Sequence, residues 1–165
     1  MRKIIFAIFI IFMVCNGVCA QSLGKMTLGC KRADIPLSLP RDFNICKTNT
    51  NNQLKYVNSK DENEYISFYL NNNIVYKIVM HKNLGLTFSS QDIKSKVEDI
   101  YVSLCDTWGE PTFVGENIYW QFPTSKGTFS YTVTTDQFYG RYGNIETQYI
   151  GNVDIKLEMR SHLFE

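Results

Sequence analysis

The sequence predicts an α+β fold of two layers, in which one long amphipathic helix packs on an antiparallel sheet and the elements follow the order ββ-α-βββ. The helix is predicted over residues 90–108, where apolar side chains recur at spacings of three and four. Strands are predicted on both sides of it, because aromatic and β-branched residues cluster there or alternate with polar ones. An amphipathic helix must bury its apolar stripe, and the inward faces of these strands are the available partner.

Two strands with bulky side chains precede the helix, at 65–70 and 74–81. Three asparagines at 71–73 separate them, and asparagine tolerates the positive φ of a tight hairpin turn. An earlier strand is predicted at 26–30. The stretch 44–64 is so polar that we expect a surface loop or an irregular hairpin there.

The ends of the helix are marked in the sequence. Ser89 is an N-cap candidate, and Asp92 follows three residues later, as in a capping box. Gly109 favours a left-handed C-terminal turn, and Pro111 prevents the helix from continuing. The stripe expected to face the sheet consists of Ile93, Val97, Ile100, Tyr101, Leu104, Cys105 and Trp108.

Alternation of apolar and polar residues predicts three strands after the helix, at about 117–122, 128–134 and 152–160. The sequence shows no internal repeat. In the last strand, Val153, Ile155, Leu157 and Met159 are expected to point inward, and Asp154, Lys156, Glu158 and Arg160 outward.

Residues 1–20 have the pattern of a cleaved secretory signal peptide. Two basic residues open the chain, an apolar run covers 4–14, and Val18 and Ala20 place small side chains at the −3 and −1 positions of a cleavage site. We expect cleavage after Ala20, which leaves 21–165 as a single α+β domain. The apolar run is shorter than the roughly 20 residues of a membrane-spanning helix. The mature protein is therefore expected in the periplasm or secreted, without spanning a membrane.

Three cysteines remain after cleavage, Cys30, Cys46 and Cys105. A compartment outside the cytoplasm permits disulfides, and a lone cysteine on a buried helix stripe, such as Cys105, usually packs as a small hydrophobe. We therefore predict a Cys30–Cys46 disulfide, with a Cys30–Cys105 bridge as the alternative. No metal site is predicted, because the sequence has no C-x-x-C pair and its two histidines, His81 and His162, lie far apart.

The charge balance argues against nucleic acid as a partner. Two of the 17 basic residues lie in the signal peptide, which leaves fifteen against 16 acidic residues and a net charge near −1. Binding of a phosphate backbone needs a basic surface. The sequence also lacks a G-x-S-x-G elbow, an H-E-x-x-H pair and a phosphate-binding glycine loop. We therefore predict no cofactor and no recognisable catalytic residues.

One segment, from Asp136 to Tyr149, combines aromatic residues, arginine and glycine between two predicted strands. Tyrosine and arginine give large contact areas and are typical of binding surfaces. The alternatives are that these aromatic side chains pack over the sheet edge, or that they stack on a sugar ring. The candidate binding residues are Phe138, Tyr139, Arg141 and Tyr142.

The helix, its Gly109-Glu110-Pro111 exit and the strand with Trp120 resemble the small helix-plus-meander modules of bacterial envelope proteins and secreted inhibitors, such as the assembly-lipoprotein and β-lactamase-inhibitor-protein families. Export, one domain and the lack of a reactive constellation favour a non-enzymatic binding or inhibitor-like module of the bacterial envelope. Its expected partner is a protein or a glycan outside the cytoplasm. Two alternatives remain open, a structural envelope protein that docks on a larger assembly and a small exported hydrolase with an unrecognised site.

Overall fold

The structure is a computed structural model that describes residues 22–23, 25–47, 50–87, 90–115, 117–137 and 149–164. The helices in these ranges are α1 (Ile35–Ser38) and α2 (Ser90–Trp108), and 3-10 turns cover Arg32–Asp34 and His162–Phe164. The strands are β1 (Ser22–Leu23), β2 (Met26–Thr27), β3 (Phe43–Ile45), β4 (Gln53–Asn58), β5 (Asp61–Asn71), β6 (Ile74–Thr87), β7 (Phe113–Val114), β8 (Ile118–Gln121), β9 (Ser125–Gln137) and β10 (Tyr149–Ser161).

Strands β3 to β10 form one antiparallel sheet in the order β3-β4-β5-β6-β10-β9-β8-β7. Its two halves have the same topology, because a four-stranded meander follows α1 and a second four-stranded meander follows α2. The halves meet where β6 pairs with β10. The described chain therefore contains a structural repeat of a helix and a meander, although the sequence shows none. Strands β1 and β2 form a separate hairpin.

The predicted fold class is wrong. The sequence predicts the order ββ-α-βββ with the helix as a full second layer, whereas an eight-stranded antiparallel sheet dominates the described residues. Helix α2 occupies the predicted residues, but Leu104 and Trp108 near its end are the only buried members of its stripe. The stripe is half-exposed at Ile93, Val97, Ile100, Tyr101 and Cys105.

The polar stretch 44–64 does not form the surface loop that is one of its two predictions; it pairs as strands, and the β4–β5 hairpin has a register shift between Val57 and Asn58, which agrees with the other prediction of an irregular hairpin. It contains most of β3, all of β4 and the start of β5. Leu54 and Tyr56 alternate with polar residues in β4 and are buried, and the Tyr56 ring meets the Phe68 ring edge-on at 5.9 Å. Two inward side chains are enough for a strand here because β5 supplies the apolar surface against which they pack.

Two local predictions about turns are confirmed. Asn72 and Asn73 have φ values of 50° and 63° in the hairpin between β5 and β6, as expected for asparagines in a tight turn. Gly109 has φ of 80° directly after α2 and ends the helix.

The end of α2 is anchored to the sheet by aromatic contacts. The Trp108 ring meets the Trp120 ring edge-on at 5.2 Å, and Trp120 Nε1 donates a hydrogen bond of 2.7 Å to the carbonyl oxygen of Gly109. Gly127 in β9 is in close contact with the Trp108 ring, since a Cβ atom at this position would be 2.9 Å from the ring. The glycine thus lets the largest side chain of the helix approach the backbone of the sheet.

The predicted Cys30–Cys46 disulfide is absent, as is the alternative Cys30–Cys105 bridge. Backbone hydrogen bonds hold Cys30 to Val75 of β6 and Cys46 to Lys55 of β4, and β5 lies between these two strands. Two strand spacings of about 4.8 Å already exceed the Cα separation of about 7 Å that a disulfide tolerates. Burial, together with the nearby Asp34 carboxylate, raises the pKa of the Cys30 thiol.

No helix in the described part of the chain is both long and apolar enough to cross a membrane.

Candidate functional site

The side of the sheet that faces away from α1 and α2 is called the open face. Directly opposed residues of neighbouring antiparallel strands lie on the same face of a sheet, so the strand register defines rows of side chains across it. Three consecutive rows are Tyr69, Lys77, Arg160 and Lys126; then Ser67, Val79, Glu158, Thr128, Tyr119 and Phe113; then Tyr65, His81, Lys156 and Ser130.

A carboxylate with several basic neighbours lies near the centre of the open face. Lys77 Nζ is 3.2 Å from Glu158 Oε1, and Lys156 Nζ is 3.2 Å from Glu158 Oε2. Burial disfavours the ionised form of Glu158, but the hydrogen bonds and positive charges of Lys156 and Lys77 outweigh it and hold its pKa below the usual value. Arg160 and Lys126 lie in the adjacent row. These four basic residues around Glu158 are called the cationic cluster.

The open face is more basic than the chain as a whole. The whole chain is nearly balanced in charge, with 17 basic and 16 acidic residues. Among the described side chains of the open face, basic residues outnumber carboxylates. The basic residues are Lys55, Lys77, Lys126, Lys156 and Arg160, and the carboxylates are Asp154 and Glu158.

The Tyr119 ring is enclosed between two neighbours. The Phe113 ring stacks on it with centroids 5.3 Å apart and an interplanar angle of 20°. Lys126 Nζ lies 4.2 Å from the Tyr119 ring centroid. Because β7 and β9 flank β8 on opposite sides, these contacts cover opposite faces of the ring. Tyr119 therefore holds the Lys126 ammonium in place by a cation–π contact and presents its edge to solvent.

A second tyrosine on the open face has the same arrangement. Lys55 Nζ lies 3.7 Å from the Tyr65 ring centroid, and the His81 ring stacks on Tyr65 at 4.9 Å and 11°. Strands β4 and β6 lie on opposite sides of β5, so both faces of this ring are covered as well. His81 is fixed in turn, since its Nδ1 is 2.7 Å from the Asn63 carbonyl oxygen and its Nε2 is 3.7 Å from Asp154 Oδ1.

A groove of about 560 Å³ crosses the open face beside the cationic cluster. It brings two ammonium groups together with hydroxyl and amide groups and the exposed Phe113 ring. Such a set of groups is suited to binding an anionic or polar ligand at several points. We call it the open-face groove; its lining residues are Phe113, Asn117, Tyr119, Lys126, Thr128, Ser130, Lys156 and Glu158.

The chemistry of the groove suits binding better than proton transfer. A general base works best when its pKa is raised towards the operating pH, whereas the lysines lower the pKa of Glu158 and make it a weaker proton acceptor. No group of three His, Cys, Asp or Glu side chains within the described residues is placed to hold a metal ion. In the other histidine, His162, the Nε2 atom lies 2.8 Å from Nε2 of Gln121.

The candidate binding residues predicted from the sequence, Phe138, Tyr139, Arg141 and Tyr142, lie outside the described residues. Their role in binding stays a prediction. The structure instead brings together residues from β7 to β10 that the sequence does not single out. The outward positions of β10 are evident from its alternation, but their neighbours follow only from the register with β6 and β9.

Replacing Glu158 by Gln should lower the free energy of unfolding by up to about 1 kcal/mol at neutral pH, because Lys77 and Lys156 lose their shared carboxylate. The folded state lowers the pKa of Glu158, so its stabilising contribution is present above the unfolded value of about 4.3 and is lost as the pH falls through the folded pKa. The difference between wild type and Glu158→Gln in thermal unfolding should therefore shrink below about pH 4.

The control for this measurement is Glu98→Gln, which changes an exposed carboxylate of α2 and should stay within about 0.5 kcal/mol of wild type. A difference between wild type and Glu158→Gln that widens as the pH falls would contradict the assigned ion pairs.

Comparison with protein-family models, with curated proteins and with solved structures gives no match to this chain. The function of the open face must therefore be inferred from its own residues. Their common properties are positive charge, enclosed tyrosine rings and a groove lined mainly by polar groups.

Proposed function

We propose that the mature protein is an exported, non-enzymatic, inhibitor-like binding module of the bacterial envelope, and that it engages a partner protein through the open face of its sheet. The observation that carries this proposal is the open-face groove beside the cationic cluster, on the side of the sheet that neither helix covers. Tyrosine side chains offer large contact areas to a folded partner at low entropic cost, and hydroxyl groups offer adaptable hydrogen bonds. The signal-peptide pattern of residues 1–20 supports export.

The enclosed tyrosines favour a protein over a glycan as the partner. A sugar ring binds an aromatic side chain by lying against its face, and both faces of Tyr65 and Tyr119 are already covered. The edges and hydroxyl groups that remain accessible are suited to hydrogen bonds and van der Waals contacts with another protein.

A photo-crosslinking experiment tests the use of the open face. The photoreactive residue p-benzoylphenylalanine is placed at Thr128 or Ser130 in the groove, and at Ser95 or Ser103 on the exposed side of α2 as a control. On irradiation of producing cells, we expect one defined protein adduct from the groove positions and not from the control positions. The adduct is identified by mass spectrometry, and binding of the purified partner is then measured directly.

Adducts that form equally well from α2 would contradict the proposed role of the open face. The four variants are first compared with wild type by thermal unfolding, so that a missing adduct is not the result of a damaged fold.

A further inference from the structure

We infer that the open-face groove binds the carboxylates of an acidic segment of the partner protein, with the ammonium groups of Lys126 and Lys156 as their ligands. This inference rests on the proposed function and names the chemistry of the partner. It follows from the charge left over in the cationic cluster, from the fixed position of Lys126 and from the apolar ring at the end of the groove.

Lys126 is the first of the two ligands. Its contact is with the Tyr119 ring, and it forms no ion pair with a carboxylate among the described side chains. The ring, itself fixed by Phe113, holds the ammonium group at the groove before any ligand arrives. A group that is already positioned loses little conformational freedom on binding, so its attraction for an anion appears as affinity.

Lys156 is the second ligand. It shares the single carboxylate of Glu158 with Lys77, so the three groups carry a net positive charge. The side chain of Lys156 is 52% exposed, and it is therefore accessible to a carboxylate from outside. Thr128 and Ser130 place hydroxyl groups beside it in the groove, where they complete the hydrogen bonds of an incoming carboxylate.

An acidic protein segment fits this groove better than a single-stranded nucleic acid does. Single-stranded nucleic acids are held by stacking of successive bases on several aromatic faces, whereas in this groove both faces of Tyr119 and one face of Phe113 are already covered. Phe113, by contrast, is 51% exposed and also lines the groove. An exposed apolar ring next to ammonium groups matches a segment in which Asp or Glu stands beside an apolar side chain.

The test uses two fluorescently labelled peptides, one with glutamates on both sides of a phenylalanine and one in which glutamine replaces each glutamate. Binding to the mature protein is followed by fluorescence anisotropy at several NaCl concentrations. We expect the glutamate peptide to bind about tenfold more tightly at low salt, with an advantage that falls as salt screens the charges. Lys126→Gln should weaken its binding about tenfold.

Glu158→Gln gives the sharpest outcome, because it should bind the glutamate peptide severalfold more tightly than wild type. The substitution releases Lys156 and Lys77 from their shared carboxylate and makes the cluster more positive. A role of Glu158 only in stability would instead weaken binding or leave it unchanged. Lys94→Gln, on the exposed side of α2, is the control and should bind like wild type.

Three results would overturn the inference: equal binding of the two peptides, weaker or unchanged binding by Glu158→Gln, or Lys126-dependent binding of heparin or of phosphatidylglycerol vesicles in preference to the glutamate peptide. If the glutamate peptide does not bind in preference to the glutamine peptide while crosslinks still form from Thr128 and Ser130, the inference of an acidic segment is wrong and the open face remains the binding surface. If crosslinks form from α2 instead, the proposed function itself fails.

Discussion

Replacing Trp120 by Ala is expected to lower the free energy of unfolding by about 3–5 kcal/mol, the cost of removing a large buried aromatic side chain. Trp120 is 1% exposed and meets the Trp108 ring edge-on. Its Nε1 atom donates a hydrogen bond to the carbonyl oxygen of Gly109, which ends α2. The substitution therefore leaves a cavity in the core and also detaches the end of the helix from β8.

Trp120→Phe separates these two effects. The phenyl ring retains much of the packing but donates no hydrogen bond, so the Gly109 carbonyl loses its partner and the expected cost is about 1–3 kcal/mol. Urea denaturation followed by circular dichroism gives both values. A loss below about 1 kcal/mol for Trp120→Ala would mean that the end of the helix is not held in this way.

Local patterns in the sequence were sufficient to predict the elements whose signals lie within a few residues of one another. Gly109 ends α2 as predicted. In β10, all the predicted inward residues are buried, because strict alternation marks a strand with one apolar face; they are Val153, Ile155, Leu157 and Met159. These predictions need no knowledge of the rest of the chain.

The parts that the sequence did not predict depend on contacts between distant segments. The sequence of β4 does not by itself indicate a strand, and β4 forms because Leu54 and Tyr56 pair with residues of β5. Strand β7 has only two residues, which is too short for a sequence pattern. The pairing of β6 with β10 joins the two halves of the sheet, and no local pattern specifies it. The expected layer of helix on sheet was wrong for this reason, since the strands extend well beyond the surface that α2 covers.

The candidate site likewise combines residues whose direction a local pattern predicts with neighbours that depend on contacts between distant segments. The outward direction of Lys156 and Glu158 follows from the alternation in β10. Their neighbours Lys77 and Lys126 come from β6 and β9, and register alone places them beside Glu158. A sequence with a formal net charge of only +1 thus folds into a sheet with a basic centre on one face. Overall charge excludes a uniformly basic protein but does not show how charge is distributed over a surface.

Gly127→Ala is expected to lower the free energy of unfolding by about 1–3 kcal/mol, the usual cost of overpacking a core. The new Cβ atom would lie 2.9 Å from Cζ3 and 3.1 Å from Cε3 of Trp108, closer than these atoms can approach without a shift of the helix end or of β9. Thermal unfolding and urea denaturation of the single variant measure the loss.

A double-mutant cycle with Trp108→Phe tests this explanation. The smaller ring leaves room for the methyl group, so Gly127→Ala should cost clearly less in the Trp108→Phe background than in wild type. An equal cost in both backgrounds would place the effect in the backbone of β9 and not in the contact with Trp108. Because Lys126 and Thr128 point to the opposite side of β9, the glutamate peptide should bind Gly127→Ala with wild-type affinity at temperatures where the variant is folded.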